Sequence, residues 1–297
     1  MAKIVGFTFI RNAIEYDYPI RESILSLLPL VDKVVVAVGK SKDDTLRLVR
    51  GIDKNKIHII ETVWDDSKRE GGRVLAEETQ KAYNEVIADK WAFYIQGDEV
   101  LHEADYPRIR EALVFYEDNP HVDGLLFKYR HFYGSYDYVG SSRRWYRREI
   151  RVVRPPRFAL APQLKIYSYK DAQGFRKNEN QKLRVKEIDA HVHHYGWVKP
   201  PEAQMKKQQT FHKLWHDDSW MQQNIPKAAE FDYSGIDALE HFTGTHPKVM
   251  QERIREKNWR FDFDISRSTY SVKEKISRWV ERYTGYRPGE YKNYVKV

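Results

Sequence analysis

The chain has 297 residues, 41% hydrophobic and 32% charged, with a formal net charge of +8 and no cysteine. That length supports one large or two modest domains around a sizeable core. Without cysteine there are no disulfides or thiolate metal sites, so a metal could be held only by oxygen or imidazole, and no apolar run approaches the roughly 18–20 residues that span a bilayer. The opening MAKIVGFTFIRNA is too short an apolar stretch, too soon followed by Arg11, for a signal peptide, which predicts a cytoplasmic protein. The basic excess is compatible with nucleic acid, an anionic membrane or a phosphorylated small molecule.

Residues 3–10 form a near-continuous apolar run, as in a parallel strand covered on both faces. Pro19 suits a helix first turn, and Ile20, Ile24, Leu27, Leu28 and Val31 recur at helical spacing. A second strand is predicted at 34–38, followed by GKSKDDT and a short helix around Leu46 and Val49 closed by Gly51. A third strand, 57–60, leads through WDDSKREGG to a helix over about 73–88, and 91–95 is a fourth strand. This alternation predicts an open α/β sheet, whose ligands sit outside the carboxyl ends of the strands.

After Pro107 a helix to about residue 113 and a strand at 124–129 are predicted, and 131–157 is dense in Tyr, Trp and Arg. From Pro200 the chain is polar, with partial helical periodicity at Phe211, Leu214 and Trp215. The tail reads as a basic amphipathic helix (Ile276, Trp279, Val280, Tyr283) with an aromatic end. It would either lie on anionic lipid or dock on the rest of the protein. There is no internal repeat.

No GxGxxG follows the first strand and no GxxxxGK[ST], HExxH or GxSxG occurs, which argues against a Rossmann dehydrogenase, a P-loop NTPase, a zincin and an α/β-hydrolase. The fourth strand instead runs into FYIQGDEVL. If it ends near Gln96, Gly97 turns the chain and Asp98 and Glu99 stand at the sheet's carboxyl edge. There they either hold Mg²⁺ or Mn²⁺, or Asp98 caps the following turn. In IDAHVHHYGWV read as a strand, Ile188, Ala190, Val192 and His194 share the inward face, and Asp189, His191 and His193 the other. His194 then ends a buried row. The alternatives are an exposed transition-metal pair, His191 with His193, or histidines with no ligand role.

The order FTFIRNA, VVVAVGKSKDDT, FYIQGDEVL resembles family 2 glycosyltransferases of the GT-A fold. The resemblance covers about residues 3–130 well and 145–200 loosely. It is closest to the subgroup whose motif reads Asp-Ala-Asp-Glu, found among bacterial lipopolysaccharide-core and other cell-surface sugar transferases. It implies a nucleotide-diphospho-sugar transferase fold, α/β with a mixed central sheet and helices on both faces. The catalytic domain would span 1–200, with a nucleotide-sugar half (1–103) and an acceptor half (104–200). A mostly helical extension would follow at 201–297.

The resemblance also implies roles. Asp98 matches the acid that holds Mn²⁺ or Mg²⁺, with Glu99 beside it and His194 approaching from the far side. Gln96 stands where the first Asp of Asp-x-Asp would touch the ribose, and Gly39 where an Asp would read a uridine base. Phe9 in strand one, Arg11 and Asn12 after it, Asp43 in the turn after strand two, Arg73 at a helix N-terminus, and Gly97 complete the donor set. Asp43 and Asp44 serve equally as helix caps. Trp145, Tyr146 and Arg151 would meet the acceptor, and Asp171, or failing it Glu179, would take the acceptor's proton.

The implied function is inverting, metal-dependent transfer from a UDP- or GDP-sugar to a cell-surface glycan or lipid-linked acceptor. The alternatives are a nucleotidyltransferase, a homologue with weakened catalysis, and a basic nucleic-acid-binding protein using 129–157. The diffuse charge, 51 basic against 43 acidic residues, argues against the last.

Overall fold

In the computed structural model, which describes residues 3–69, 71–225 and 228–297, the first four apolar runs build the centre of one mixed sheet. β1 (Ile4–Ile10), β2 (Lys33–Gly39), β3 (Ile57–Thr62) and β4 (Trp91–Tyr94) lie parallel, with β1 between β4 and β2. Helices cover both faces because the strands are apolar on both. On one side α1 (Ile20–Leu27) and α2 (Thr45–Arg50) bury Ile20, Ile24, Leu27 and Val49 against Ile10, Val34, Val36 and Val38. On the other, α3 (Arg73–Asn84) buries Ala82 and Tyr83 against Val5, Phe7, Val35 and Ala37.

A three-residue strand, β5 (Glu99–Leu101), follows β4, then α4 (Tyr106–Phe115), whose Ile109 and Leu113 join the α1 side of the core. The sheet continues antiparallel through β6 (Gly124–Tyr133), β7 (Ser135–Gly140) and β8 (Arg148–Val153), with β8 between β4 and β6. β9 (Ile166–Ser168) and β10 (Phe175–Lys177) form a separate hairpin. The 15-residue β11 (Leu183–Trp197) pairs parallel with β6 and antiparallel with β5, which sets His194 opposite Glu99 and His193 opposite Val100. Two residues 95 positions apart in the chain therefore share one rung.

Beyond Pro200 come α5 (Pro201–Phe211), α6 (Asp218–Asn224), β12 (Leu239–His241) on β7, α7 (Gln251–Arg255) and α8 (Val272–Thr284). The tail then returns to the sheet as β13 (Tyr294–Lys296), parallel to the start of β11. The aromatic end of the sequence thus contributes an edge strand, with Tyr294 buried.

Candidate active site

A cleft of about 360 Å³ opens at the carboxyl ends of the parallel strands, lined by Phe9 and Ile10 at the end of β1, by Arg11 just after it, and by Gln96, Gly97 and Asp98 after β4. The two adjacent acids part here. Asp98, in the turn between β4 and β5, faces the cleft, while Glu99 begins β5 and points away from it. Both Glu99 oxygens are held: Arg151 Nε donates to Oε2 at 2.8 Å and Nη2 to Oε1 at 2.6 Å. The Tyr129 hydroxyl and the Gln96 amide complete the set at 2.7 and 3.0 Å. Glu99 and Arg151 are fully buried beneath the cleft floor. This corrects two expectations, because Glu99 has no lone pair left for a metal and Arg151 cannot reach an acceptor.

Asp98 is placed for a cation. Lys207 Nζ, from α5, lies 3.2 Å from its Oδ2 and donates to the Gly196 carbonyl at 2.9 Å. Burial alone would raise the Asp98 carboxyl, but the neighbouring Lys207 ammonium holds it far below the usual carboxylate range, so it is ionised. His194 Nε2 stands 3.7 Å from the same oxygen. Its protonation follows from the hydrogen bonds behind it. His131 Nε2 lies 2.8 Å from the Tyr146 carbonyl, which can only accept, so that nitrogen carries hydrogen. Burial pushes His131 well below the usual histidine range, leaving it neutral with a bare Nδ1. That Nδ1 is 3.2 Å from His194 Nδ1, which must therefore be the donor. Burial also lowers His194, so it too is neutral and its Nε2 lone pair faces Asp98.

Two acceptors facing each other across 3.7 Å invite a cation between them. Among the described residues no group of three or more His, Asp or Glu surrounds this point. Two protein ligands, with substrate phosphates and water for the rest, is a common arrangement for Mg²⁺ and its relatives. The donor set of Asp98 and His194 fits such an ion, with Glu99 outside it.

The far wall of the cleft is apolar: Phe9, Trp64, Leu75, Phe211, Leu214 and Trp215. Two glycines seat the indoles. A Cβ on Gly39 would lie 2.4 Å from Trp64 Nε1, and one on Gly72, whose φ of +72° also disfavours other residues, 2.5 Å from Trp215. Gly39 therefore acts through Trp64 and does not itself line the cleft. The Arg11 guanidinium lies 4.2 Å over the Trp64 ring and pairs with Asp66 at 2.8 Å. Asn12 does not reach the cleft; its side chain ties the Lys42 amide (2.9 Å) to the Tyr16 hydroxyl (3.3 Å).

Asp171 and Tyr146 line the cleft, and burial raises the Asp171 carboxyl above its usual range. Glu179 instead lies exposed between Asn178 and Asn180, away from the cleft, which removes it as a base. Asp43 is taken up locally. It accepts from the amides of Ile14, Glu15 and Thr45 and so pins the loop after β1 to α2 rather than meeting a donor. Arg73 is exposed and pairs with Glu77 one turn along α3. Trp145 packs behind the site, stacked on His131 with centroids 5.1 Å apart. His193 is fully buried against Phe132 and Phe242, so it forms no exposed pair with His191.

Several lining residues escape sequence reading. Lys207, Gln208 and Phe211 come from α5, whose buried residues include Gln204, Met205, Lys207 and Gln208. Polar side chains where a core helix would be apolar are the available signal. Trp64 sits in what reads as a polar loop. Glu149, near Asp171 but outside the cleft lining, carries no signal in the sequence either. Its Oε2 is shut off from solvent without a hydrogen-bond partner among the described residues, and burial pushes its carboxyl up to about 8.

No protein-family model matches the chain, and no curated protein matches it. Among solved structures it is similar to S. aureus TarS, with a TM-score of 0.40 and 14% identity over 70% of this chain and 38% of that one. Another is glucosyl-3-phosphoglycerate synthase from Mycobacterium tuberculosis, in complex with Mn²⁺, UDP and phosphoglyceric acid (TM-score 0.30, 17% identity, 44% and 43% covered). A third is 4-diphosphocytidyl-2C-methyl-D-erythritolsynthase from Anaerococcus prevotii (0.38, 11%, 66% and 91%). Likenesses this loose assign neither a family nor an activity to the chain.

Proposed function

We propose that the protein is a GT-A-type glycosyltransferase that moves a sugar from a nucleotide-sugar to a hydroxyl acceptor with inversion. The observation that carries this reading is the pairing of ionised Asp98 with the bare Nε2 of His194 at the carboxyl edge of parallel strands. They share one cleft with an aromatic wall and a carboxylate of raised affinity for protons. Asp98 and His194 would hold Mn²⁺ or Mg²⁺, which when bound supplies charge neutralisation to a departing diphosphate. Phe9 and Trp64 offer flat apolar surface for the base of a UDP- or GDP-sugar, and Arg11 and Lys207 bring positive charge towards its phosphates. Asp171 would take the proton from the acceptor hydroxyl as that oxygen attacks the anomeric carbon. The bond to the diphosphate breaks and the nucleoside diphosphate leaves. Tyr146 would contact the acceptor. The resemblance of residues 3–130 to cell-surface sugar transferases supports a glycan or lipid-linked acceptor on the cytoplasmic side. The domain division at about residue 200 is part of the same reading, with the extension supplying Lys207 to the cleft.

The test is thermal denaturation with UDP, GDP, CMP and dTDP, each with and without Mn²⁺. At least one nucleotide should stabilise the protein in a metal-dependent way, and Asp98→Ala should remove the effect. If no nucleotide moves the wild-type melt, the transferase reading is wrong.

A further inference from the structure

α8 is amphipathic in the opposite sense to a helix that packs on a domain by burying its apolar face. Val272, Ile276, Trp279 and Tyr283 recur at i, i+4, i+7 and i+11, which puts them on one stripe. All four are exposed, at 74%, 59%, 64% and 69%. The face turned to the protein is polar. Glu281 pairs with Arg147 and Arg287, Arg278 reaches Glu240 at 2.8 Å and the Ser141 carbonyl, and the buried Ser277 hydroxyl accepts from Arg143. Glu274 closes a capping box with Ser271 and accepts from the Arg143 amide at 3.3 Å. Both acids of the helix are thus turned inward. Lys273, Lys275 and Arg282 stay exposed on the flanks of the stripe, and Tyr286 and Tyr291 are exposed just beyond the helix.

Single exposed apolar residues are ordinary, but a continuous stripe of them marks an interaction surface. We propose that this face of α8 lies in the plane of an anionic lipid surface. Trp279 and Tyr283 would sit at the headgroup boundary, with Lys273, Lys275 and Arg282 against lipid phosphates. Charge selects this occupant. A second copy of the helix would set the same basic flanks against one another with no outward acid to relieve them. Of the two arginines that clamp α8, Arg147 follows Tyr146 of the cleft wall in the chain, but neither lines the cleft. The proposal stands apart from the transferase reading, since none of the stripe residues lines the cleft.

Co-sedimentation of the full chain with vesicles tests it, using phosphatidylcholine alone against phosphatidylcholine with phosphatidylglycerol. The protein should pellet only with the anionic vesicles, and less so as salt is raised. Ile276→Ser with Trp279→Ser should leave it in the supernatant. Replacing Lys273, Lys275 or Arg282 by Gln should weaken partition about fivefold per charge. The changed side chains are exposed, so the melting temperature and any nucleotide-induced shift should stay as in wild type. The proposal falls if wild type stays in the supernatant with both vesicles or pellets equally with neutral ones. It falls equally if the serine variant pellets like wild type, or if light scattering shows a dimer that the serine variant dissolves.

Discussion

His131 and His194 meet Nδ1 to Nδ1 at 3.2 Å, and because the Tyr146 carbonyl occupies the other nitrogen of His131, only His194 can donate. The pair thereby fixes which nitrogen of His194 is bare and aims it at Asp98. An outer partner of this kind is worth roughly 10–100-fold in metal affinity. His131→Phe should therefore weaken Mn²⁺ binding by about that factor, measured by titration in the presence of the stabilising nucleotide. His194→Ala should remove the metal-dependent part of the shift and leave any metal-free nucleotide binding. Unchanged Mn²⁺ affinity in both variants would exclude His194 as a ligand.

Glu99 and Arg151 form a fully buried bidentate pair. Removing one partner strands the other charge, at a cost of about 3–5 kcal/mol, whereas replacing both by apolar residues can be neutral. Glu99→Leu and Arg151→Met should each lower stability by that amount in urea denaturation, and the double variant should lose much less than their sum. Additive losses would argue against the pairing.

Asp171→Asn should keep the nucleotide-induced melting shift and lose turnover of labelled nucleotide-sugar, as expected when a proton acceptor is removed without changing shape. Loss of both would make Asp171 a binding residue.

Glu149 carries a pH signature. Its carboxyl, with an ordinary value of 4.5, is raised to about 8 in the folded chain. The folded state therefore keeps a proton that the unfolded state releases. This contribution to stability is complete below about 4.5 and is lost as pH rises through about 8, at most about 1.4 kcal/mol per unit. Glu149→Gln should melt like wild type near the acid end of that window and progressively above it towards the alkaline end. A constant difference across pH would show that the carboxyl does not titrate this way.

A methyl group at position 39 would lie 2.4 Å from Trp64 Nε1 and displace the indole. Stacking on an aromatic is worth about 1–3 kcal/mol per base, so Gly39→Ala should weaken nucleotide binding by roughly tenfold. Trp64→Ala, which introduces no clash, should do the same. Calorimetric titration that finds either variant at wild-type affinity would remove Trp64 from the base site.

The amino-acid sequence by itself determined the α/β alternation, the four parallel strands and the placing of Asp98 at their carboxyl edge. Each rests on local periodicity and on a turn at Gly97, which need no distant partner. It also offered His194, through strand alternation from Ile188. Tertiary structure alone decided what became of the neighbouring acid. Arg151 arrives from β8, an antiparallel neighbour of β4, and converts Glu99 from a free carboxylate into half of a buried pair. Similarly, Lys207 is separated from Asp98 by more than a hundred residues and comes from a helix with no apolar stripe to announce it. Asp43, Arg73 and Glu179 have suitable chemistry at suitable places in the chain, but local amides, an adjacent glutamate and solvent respectively satisfy them. α8 shows the same division. Its amphipathic period was legible, but which face it shows to solvent depended on arginines of the 141–147 segment that only the folded chain brings beneath it. Periodicity encodes which side chains share a face; what lies against that face is set by segments far away in sequence.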